Sequence, residues 1–152
     1  MCQLRPYRPG DEPAVFALVA RVLAEYDLAA DPDGTDRDLA DIGRSYAVTG
    51  GLFKVIDHDG AVIGSYGLFR VSAQTCELRK MYLDRAHRGK GWGRRMMEDA
   101  FREARALGFT EMVLETNTCL KEALQLYRAS GFEEVRPAHL ADRCNLAMRR
   151  SL

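Results

Sequence analysis

The chain of 152 residues is long enough for one domain with a hydrophobic core. Its 22 basic residues balance its 22 acidic residues, so the overall charge does not indicate nucleic-acid binding. The four cysteines show no metal-ligand spacing, and the N-terminus has no apolar leader segment. No apolar run is long enough to span a bilayer. We therefore expect a cytoplasmic protein with no metal, no membrane and no nucleic-acid partner.

Hydrophobic periodicity predicts alternating strands and helices along the chain. The first half contains a strand, two helices and three strands, over residues 2–8, 11–26, 35–46, 52–56, 61–69 and 75–83. The second half contains a helix, a strand, a helix and two strands, over residues 96–107, 112–114, 120–127, 132–135 and 144–148. This order of elements indicates one α+β domain, residues 1–152, with a mixed sheet.

A glycine-rich segment, Arg88-Gly89-Lys90-Gly91-Trp92-Gly93, lies between a predicted strand and an amphipathic helix. Glycines at alternate positions allow a tight turn that brings backbone N–H groups near a ligand. The following helix directs its free N–H groups and the positive end of its dipole to the same place. A phosphate or pyrophosphate fits this chemistry. A tight strand-to-helix turn without a ligand is the alternative.

Two common phosphate-binding motifs are absent from the sequence. The chain has no G-x-x-x-x-G-K-[ST] segment, which excludes a P-loop. A dinucleotide fingerprint needs G-x-G-x-x-G directly after a first strand. Here the spacing is G-x-G-x-G, and the connector Asp84 to Arg88 precedes it. The glycine segment therefore indicates a different phosphate ligand.

Two segments resemble the motifs of the GNAT superfamily of N-acetyltransferases. Motif A has the form [QR]-x-x-G-x-[GA], which Arg88, Gly91 and Gly93 match. Motif B has the form A-x-x-L-Y-x-x-x-G-F, and its matching residues here are Ala123, Leu126, Tyr127, Gly131 and Phe132. The resemblance covers nearly the whole chain, although only residues 75–136 carry specific motifs.

The resemblance implies a GNAT-like acyl-CoA N-acyltransferase fold. This fold has a mixed, mostly antiparallel sheet of about seven strands and about four flanking helices, with acetyl-CoA between strands four and five. The pyrophosphate would contact backbone N–H groups of residues 88–93, and the pantetheine would pair along residues 81–83 as an added strand. The implied cofactor-binding residues are Met81, Tyr82, Leu83, Arg88, Gly89, Lys90, Gly91, Trp92, Gly93, Arg94, Asn117, Leu120 and Tyr127.

One position departs from the family pattern. Many members of the superfamily carry Asn seven residues before the motif B tyrosine, where this chain has Leu120. Asn117 lies three residues earlier and is a candidate for the same cofactor contact.

Acetyl transfer to an amine needs a neutral amine and a proton for the departing thiolate, so a general base and a general acid are expected. Glu77 is the candidate base, because it lies on the strand facing the cofactor and matches the catalytic Glu of several GNAT members. An ion pair with Arg79 or Lys80 is the alternative. Tyr127 is the candidate acid, as the matching tyrosine is in many members, and a packing role is its alternative. Backbone N–H groups near Leu83 would polarise the thioester carbonyl.

The expected function is transfer of an acetyl group from acetyl-CoA to a primary amine of a small molecule, by direct attack in a ternary complex. Acetylation of a protein or peptide amine is one alternative, and a CoA-binding sensor without turnover is another. Substrate recognition is expected in residues 24–50 and 136–143. The six Asp residues of segment 27–41 would attract a cationic acceptor or cap helices. The superfamily also suggests a homodimer.

Overall fold

A seven-stranded sheet forms the centre of the structure, a computed structural model that describes residues 1–137 and 139–152. The strands are β1 (Cys2–Pro6), β2 (Leu52–His58), β3 (Ala61–Arg70), β4 (Thr75–Leu83), β5 (Glu111–Thr116), β6 (Glu133–Val135) and β7 (Leu146–Ser151). Their order across the sheet is β1-β2-β3-β4-β5-β7-β6. β4 and β5 pair in parallel, whereas the other neighbouring strands pair antiparallel.

Helices cover both faces of the sheet. One face is covered by α1 (Glu12–Ala24) and by two short helical turns, Arg37–Ala40 and Gly43–Ala47. The other face is covered by α2 (Trp92–Ala106) and α3 (Lys121–Ala129). The predicted α+β fold, with about seven strands and four helical regions, is confirmed.

The sequence of α2 explains why it begins and ends where it does. Met96, Met97, Ala100 and Ala104 recur at helical spacing and are buried against the sheet. Gly108 ends the helix with a left-handed φ of 91°, which glycine adopts without a side-chain clash. Because this long face packs against the sheet, the N-terminus of α2 is held in a fixed position relative to β4.

The predicted second helix is wrong in one respect, because it is interrupted. Asp41 has an extended conformation, with φ −147° and ψ 85°. Its carboxylate accepts a hydrogen bond from the Arg44 N–H at 3.1 Å and so caps the second turn. Leu39, Ile42 and Tyr46 of this segment are nevertheless buried.

Several strand boundaries also differ from the prediction, and two of the differences have a clear cause. β1 ends at Pro6 rather than at residue 8, because the Arg8 N–H bonds to Asp11 in a turn that leads into α1. β7 begins at Leu146 rather than at Cys144, whose N–H bonds to Ala141 in a turn.

Candidate active site

β4 and β5 pair only at their beginnings, and a cleft opens beyond that point. The recorded pairs join residues 75–77 to residues 111–113, whereas β4 continues to Leu83. The cleft encloses a cavity of about 620 Å³, within the size range of small-molecule sites. The cavity extends from the start of α2 to the α1–β2 connection (residues 25–51) and the β6–β7 connection (residues 136–145). Ala138 of the β6–β7 connection lies outside the described residues.

β4 is irregular within the cleft. Ser65 of β3 pairs with Tyr82, and Gly67 pairs with Arg79. Two steps along β3 thus correspond to three steps along β4, so β4 contains one extra residue. Lys80, inside this bulge, has a left-handed φ of 54°. The Ser65 hydroxyl donates a hydrogen bond to the Lys80 carbonyl at 2.7 Å and holds the bulge in place. A bulge takes backbone groups out of the regular ladder, which leaves this part of β4 able to bind a ligand.

The turn before α2 brings a series of free backbone N–H groups to the cleft. Gly89 and Gly91 line the cavity and have left-handed φ values of 75° and 85°, which favour glycine. The first helical hydrogen bond runs from the Arg95 N–H to the Gly91 carbonyl. In the described part of the chain, no acceptor is recorded for the N–H groups of residues 89–94. Free N–H groups at a helix N-terminus bind phosphate oxygens, so this turn has the geometry of an anion site.

Arg88, the first residue of the predicted phosphate loop, is held by protein atoms. Its guanidinium donates to the Leu83 carbonyl from Nε at 3.0 Å and from Nη2 at 2.9 Å. It also pairs with the Glu25 carboxylate at 2.6 Å. Arg88 therefore ties the end of β4 to the end of α1 and fixes one wall of the cleft. A contact between Arg88 and phosphate stays a prediction.

The predicted cofactor-binding residues fall into two groups. Those that line the cavity are Met81, Tyr82, Leu83, Arg88, Gly89, Gly91, Gly93, Arg94, Asn117, Leu120 and Tyr127. Lys90 and Trp92 are not among the lining residues. Trp92 is buried in the core and lies under the Arg95 guanidinium, 4.1 Å from it, whereas Lys90 is exposed on the turn. A cofactor contact by Trp92 would therefore use its backbone N–H.

Asn117 and Leu120 lie at the start of α3. The Asn117 amide donates to the Arg143 carbonyl at 3.0 Å and accepts from the Cys119 N–H at 2.9 Å. Leu120 occupies the N-cap position, where its side chain forms no hydrogen bond. The side-chain groups of Asn117 are thus engaged in holding the turn, and its cofactor contact stays a prediction.

Glu77 lies at the last recorded β4–β5 pair and lines the cavity. Arg79 donates to its Oε1 atom from Nε at 2.9 Å and from Nη2 at 2.7 Å. Within the described residues, no hydrogen bond to Glu77 Oε2 is recorded. The ion pair with Arg79 therefore fixes the orientation of the carboxylate, while one oxygen remains available. Both the ion pair and the predicted role as a base fit this geometry.

Tyr127 lies on the face of α3 that packs against the core, and it lines the cavity. Its ring contacts Phe132 edge to face, with 5.9 Å between the ring centroids. Burial raises the pKa of Tyr127, and the neighbouring Tyr82 and Cys144 raise it further. No hydrogen bond to its hydroxyl is recorded in the described part of the chain. Tyr127 therefore remains protonated over the neutral range, as a proton donor must.

An ion cluster beside the cleft has no counterpart in the sequence-based prediction. The Asp36 carboxylate is fully buried, accepts from Arg143 at 2.6 and 2.9 Å, and lies 3.0 Å from Lys80 Nζ. Lys80 also donates to the Thr35 carbonyl at 3.0 Å and lies 3.3 Å from the Asp38 carboxylate. The cluster joins the α1–β2 connection, the bulge in β4 and the β6–β7 connection.

The suggestion that Asp residues of segment 27–41 cap helices is wrong for Asp36. Asp36 occupies the N-cap position of the Arg37–Ala40 turn but forms no capping hydrogen bond with its side chain. Asp38 accepts a hydrogen bond from the Tyr46 hydroxyl and contacts Lys80. Both carboxylates therefore neutralise a buried cation, which leaves less acidic surface for a cationic acceptor.

The ion pairs of Asp36 predict how stability changes with acid. Burial raises the pKa of Asp36, but Arg143, the Asp31 N–H and the Lys80 charge together lower it to about 2. Because this folded pKa lies below the unfolded value, the stabilisation is complete above about pH 4 and disappears as the pH falls through 2. For Asp36→Asn we expect a loss of about 3 kcal/mol of unfolding free energy at pH 7, since Arg143 loses its carboxylate partner and Lys80 loses one of its two. Urea unfolding at several pH values should show this loss shrinking from pH 5 to pH 2. A loss that does not change with pH would contradict it.

Residues 1–137 and 139–152 contain no group of three or more His, Cys, Asp or Glu side chains placed to hold a metal ion. Over the same residues, no helix combines the length and the apolar character that a membrane crossing needs.

Comparison with known proteins identifies the family. The profile of the Acetyltransferase (GNAT) family matches residues 17–132, more than half of the chain. YjgM, an uncharacterized N-acetyltransferase of Escherichia coli K12, is 37% identical over 130 residues, which cover 82% of this chain and 78% of that protein. The chain belongs to the GNAT family of acetyltransferases, as the sequence motifs predict. It spans about 45% of the length of the human N-acetyltransferases 8 and 8B, which it also matches.

Solved structures share the fold. An acetyltransferase of the GNAT family from Staphylococcus aureus Mu50 superposes with a TM-score of 0.91 and 20% identity, covering 99% of each chain. The protein yncA of Salmonella typhimurium, solved with its cofactor acetyl-CoA, gives a TM-score of 0.73 and 21% identity, covering 99% of this chain and 94% of that one.

Proposed function

We propose that this chain transfers the acetyl group of acetyl-CoA to a primary amine of a small molecule, by direct attack in a ternary complex. The observation that carries the proposal is the row of free N–H groups of residues 89–94 at one end of the β4–β5 cleft. The complex of the Salmonella protein with acetyl-CoA supports the choice of donor. The donor's pyrophosphate would lie at this turn, and its thioester would lie beside β4.

The side chains at the inner end of the cleft suit the chemistry of amine acetylation. Glu77 accepts a proton from the acceptor nitrogen, directly or through water, so that the nitrogen lone pair can attack the thioester carbonyl carbon. Backbone N–H groups near Leu83 stabilise the oxyanion that forms. When the carbon–sulfur bond breaks, Tyr127 donates its hydroxyl proton to the departing thiolate. The amide and CoA are the products, and solvent restores the protonation of both side chains.

The state of the cysteine in the cavity supports direct attack over a covalent acetyl-cysteine. Among the described lining residues, Cys144 is the cysteine. Burial raises its pKa to about 11, and the nearby Glu115 carboxylate raises it as well. A thiol with this pKa is almost entirely protonated at neutral pH, and a protonated thiol is a poor nucleophile.

The proposal is tested by measuring thiol release from acetyl-CoA in the presence of an amine panel. The panel contains polyamines, amino acids, amino acid amides, aryl alkyl amines and short peptides. We expect acetyl-CoA to raise the melting temperature and at least one small primary amine to support turnover. Binding of acetyl-CoA without turnover on any amine would favour the sensor alternative instead.

Tyr127→Phe tests the proton donor. We expect an almost unchanged melting temperature, because the ring packing is kept and the lost hydroxyl forms no hydrogen bond with residues 1–137 or 139–152. Turnover should fall by about ten- to a hundredfold. The fall should be the same at pH 7 and pH 9, because the raised pKa keeps the phenol protonated at both values.

Tyr26→Phe is the matched control for Tyr127→Phe. Tyr26 also lines the cavity, but its hydroxyl donates to the Glu122 carboxylate at 2.6 Å. This variant should lose some stability and keep turnover within about threefold of the original value. If both variants turn over normally, a water molecule or a backbone group supplies the proton.

A further inference from the structure

Two connections that line the cavity meet at a buried contact. The α1–β2 connection contributes Thr35 and Asp38 to the cavity lining, and the β6–β7 connection contributes Ala141 and Cys144. Asp36 joins the two connections, because its carboxylate accepts two hydrogen bonds from the Arg143 guanidinium. We call this contact the Asp36–Arg143 bridge.

The bridge is supported on both sides by further contacts. Arg143 also donates to the Ala29 carbonyl at 3.2 Å, and its own carbonyl accepts from the Asn117 amide at 3.0 Å. On the other side, Asp36 accepts from the Asp31 N–H at 2.8 Å and pairs with Lys80 in the bulge of β4. The side chain of Asp36 has no exposed surface, and that of Arg143 is 13% exposed. The contact is therefore largely desolvated, and it ties the two connections together.

The position of the bridge limits the shape of an acceptor. The N–H groups of residues 89–94 lie at one end of the cleft, where the proposed function places the pyrophosphate of acetyl-CoA. An acceptor amine must then approach Glu77 from the region between the two connections. A polypeptide acceptor needs an open groove there, because its backbone continues beyond the reacting amine. The bridge joins the two connections that would form the walls of such a groove, whereas a small amine needs only a pocket.

We propose that the Asp36–Arg143 bridge is a specificity element that restricts the acceptor to small amines and disfavours extended peptides. This inference rests on the proposed acetyltransferase function and names its acceptor class. In this proposal the two residues determine how wide the acceptor region is, and they do not contact the reacting atoms. Asp36 and Arg143 are thus positioning residues.

The test compares one amine in two forms. The best primary amine of the panel is assayed alone and with a glycine-rich peptide extension attached at a distance from the amino group. The original chain should use the free amine at least about tenfold more efficiently, measured as kcat/KM. Arg143→Gln should reduce this preference by about tenfold, because the groove opens, while the KM for acetyl-CoA stays within about twofold.

Two further variants separate specificity from general damage. Asp36→Asn should change the preference in the same direction. If Asp36→Asn fails to fold, Arg143→Gln still tests the proposal, because Asp36 keeps its ion pair with Lys80 when Arg143 is replaced. Arg5→Gln is the matched control. This variant breaks the ion pair between Arg5 and Asp11, whose side chains are 9% and 14% exposed respectively. Neither residue lines the cavity. This control should lower stability and leave the preference unchanged.

The possible results differ in what they overturn. Equal use of the free and the extended amine by the original chain would overturn the specificity role and leave the acetyltransferase function intact. An unchanged preference in Arg143→Gln would do the same. No transfer to any amine, together with no thermal shift by acetyl-CoA, would overturn both proposals.

Discussion

Replacing Gly91 with Glu should abolish the rise in melting temperature that acetyl-CoA and CoA give. A ligand at a hundred times its Kd stabilises the folded state by about 2.7 kcal/mol, which is a rise of several degrees for a domain of this length. A carboxylate at position 91 would stand among the free N–H groups of residues 89–94, where the phosphate oxygens are expected. It would occupy the open space beside Gly91 and repel the phosphates. Differential scanning fluorimetry with and without each ligand measures the effect.

The structure offers a closely matched control at the other end of the same helix. Gly108 has a φ of 91°, close to the 85° of Gly91, and a Cβ at either position meets open space. Gly108→Glu therefore imposes a similar backbone strain, of about 1–2 kcal/mol, far from the cavity. This variant should melt at a lower temperature and keep the full ligand-induced shift. If Gly91→Glu keeps the shift as well, the turn before α2 is not the cofactor site.

The fold could be predicted because its elements carry strong local signals. The buried face of α2 repeats at helical spacing, and Gly108 marks its end. The Asp59-Gly60 pair marks the β2–β3 hairpin, where both residues have positive φ values. β7 was harder to predict, because the exposed Arg149 weakens its apolar pattern, although the strand pairs with β5 along its whole length.

The candidate site could be predicted only where a motif lies within one short segment. The glycine turn and the motif B tyrosine are such segments, and both line the cleft. The Asp36–Arg143 bridge joins residues 107 positions apart, and no local pattern pairs them. The acidic run suggested a cationic acceptor, and the sequence does not show that two of its carboxylates pair with Lys80. The sequence alone thus predicted the glycine turn and the tyrosine that line the cleft, and it missed the buried Asp36–Arg143 bridge.

Glu77→Gln should lower turnover by about a hundredfold or more at neutral pH, since the substitution removes the proposed base and keeps the shape of the side chain. The loss should shrink as the pH rises, because an increasing fraction of the acceptor amine is then deprotonated without help. The thermal shift by acetyl-CoA should not change, because Glu77 lies on β4, away from the turn of residues 89–94. A pH profile of kcat together with the thermal shift separates a catalytic loss from a binding loss.

Arg79→Gln separates the base from the ion pair that holds it. This variant breaks the same pair, whose atoms lie 2.7 and 2.9 Å apart, but keeps the Glu77 carboxylate. If Glu77 accepts the proton, Arg79→Gln should lose less than about tenfold in turnover, and the double variant should be no worse than Glu77→Gln alone. If the ion pair matters only for the structure of β4, the two single variants should lose equal activity and equal stability. Equal losses would therefore indicate a structural role for Glu77. Arg79→Gln leaves the Glu77 carboxylate in place, so a variant that still has its base should keep more activity than Glu77→Gln.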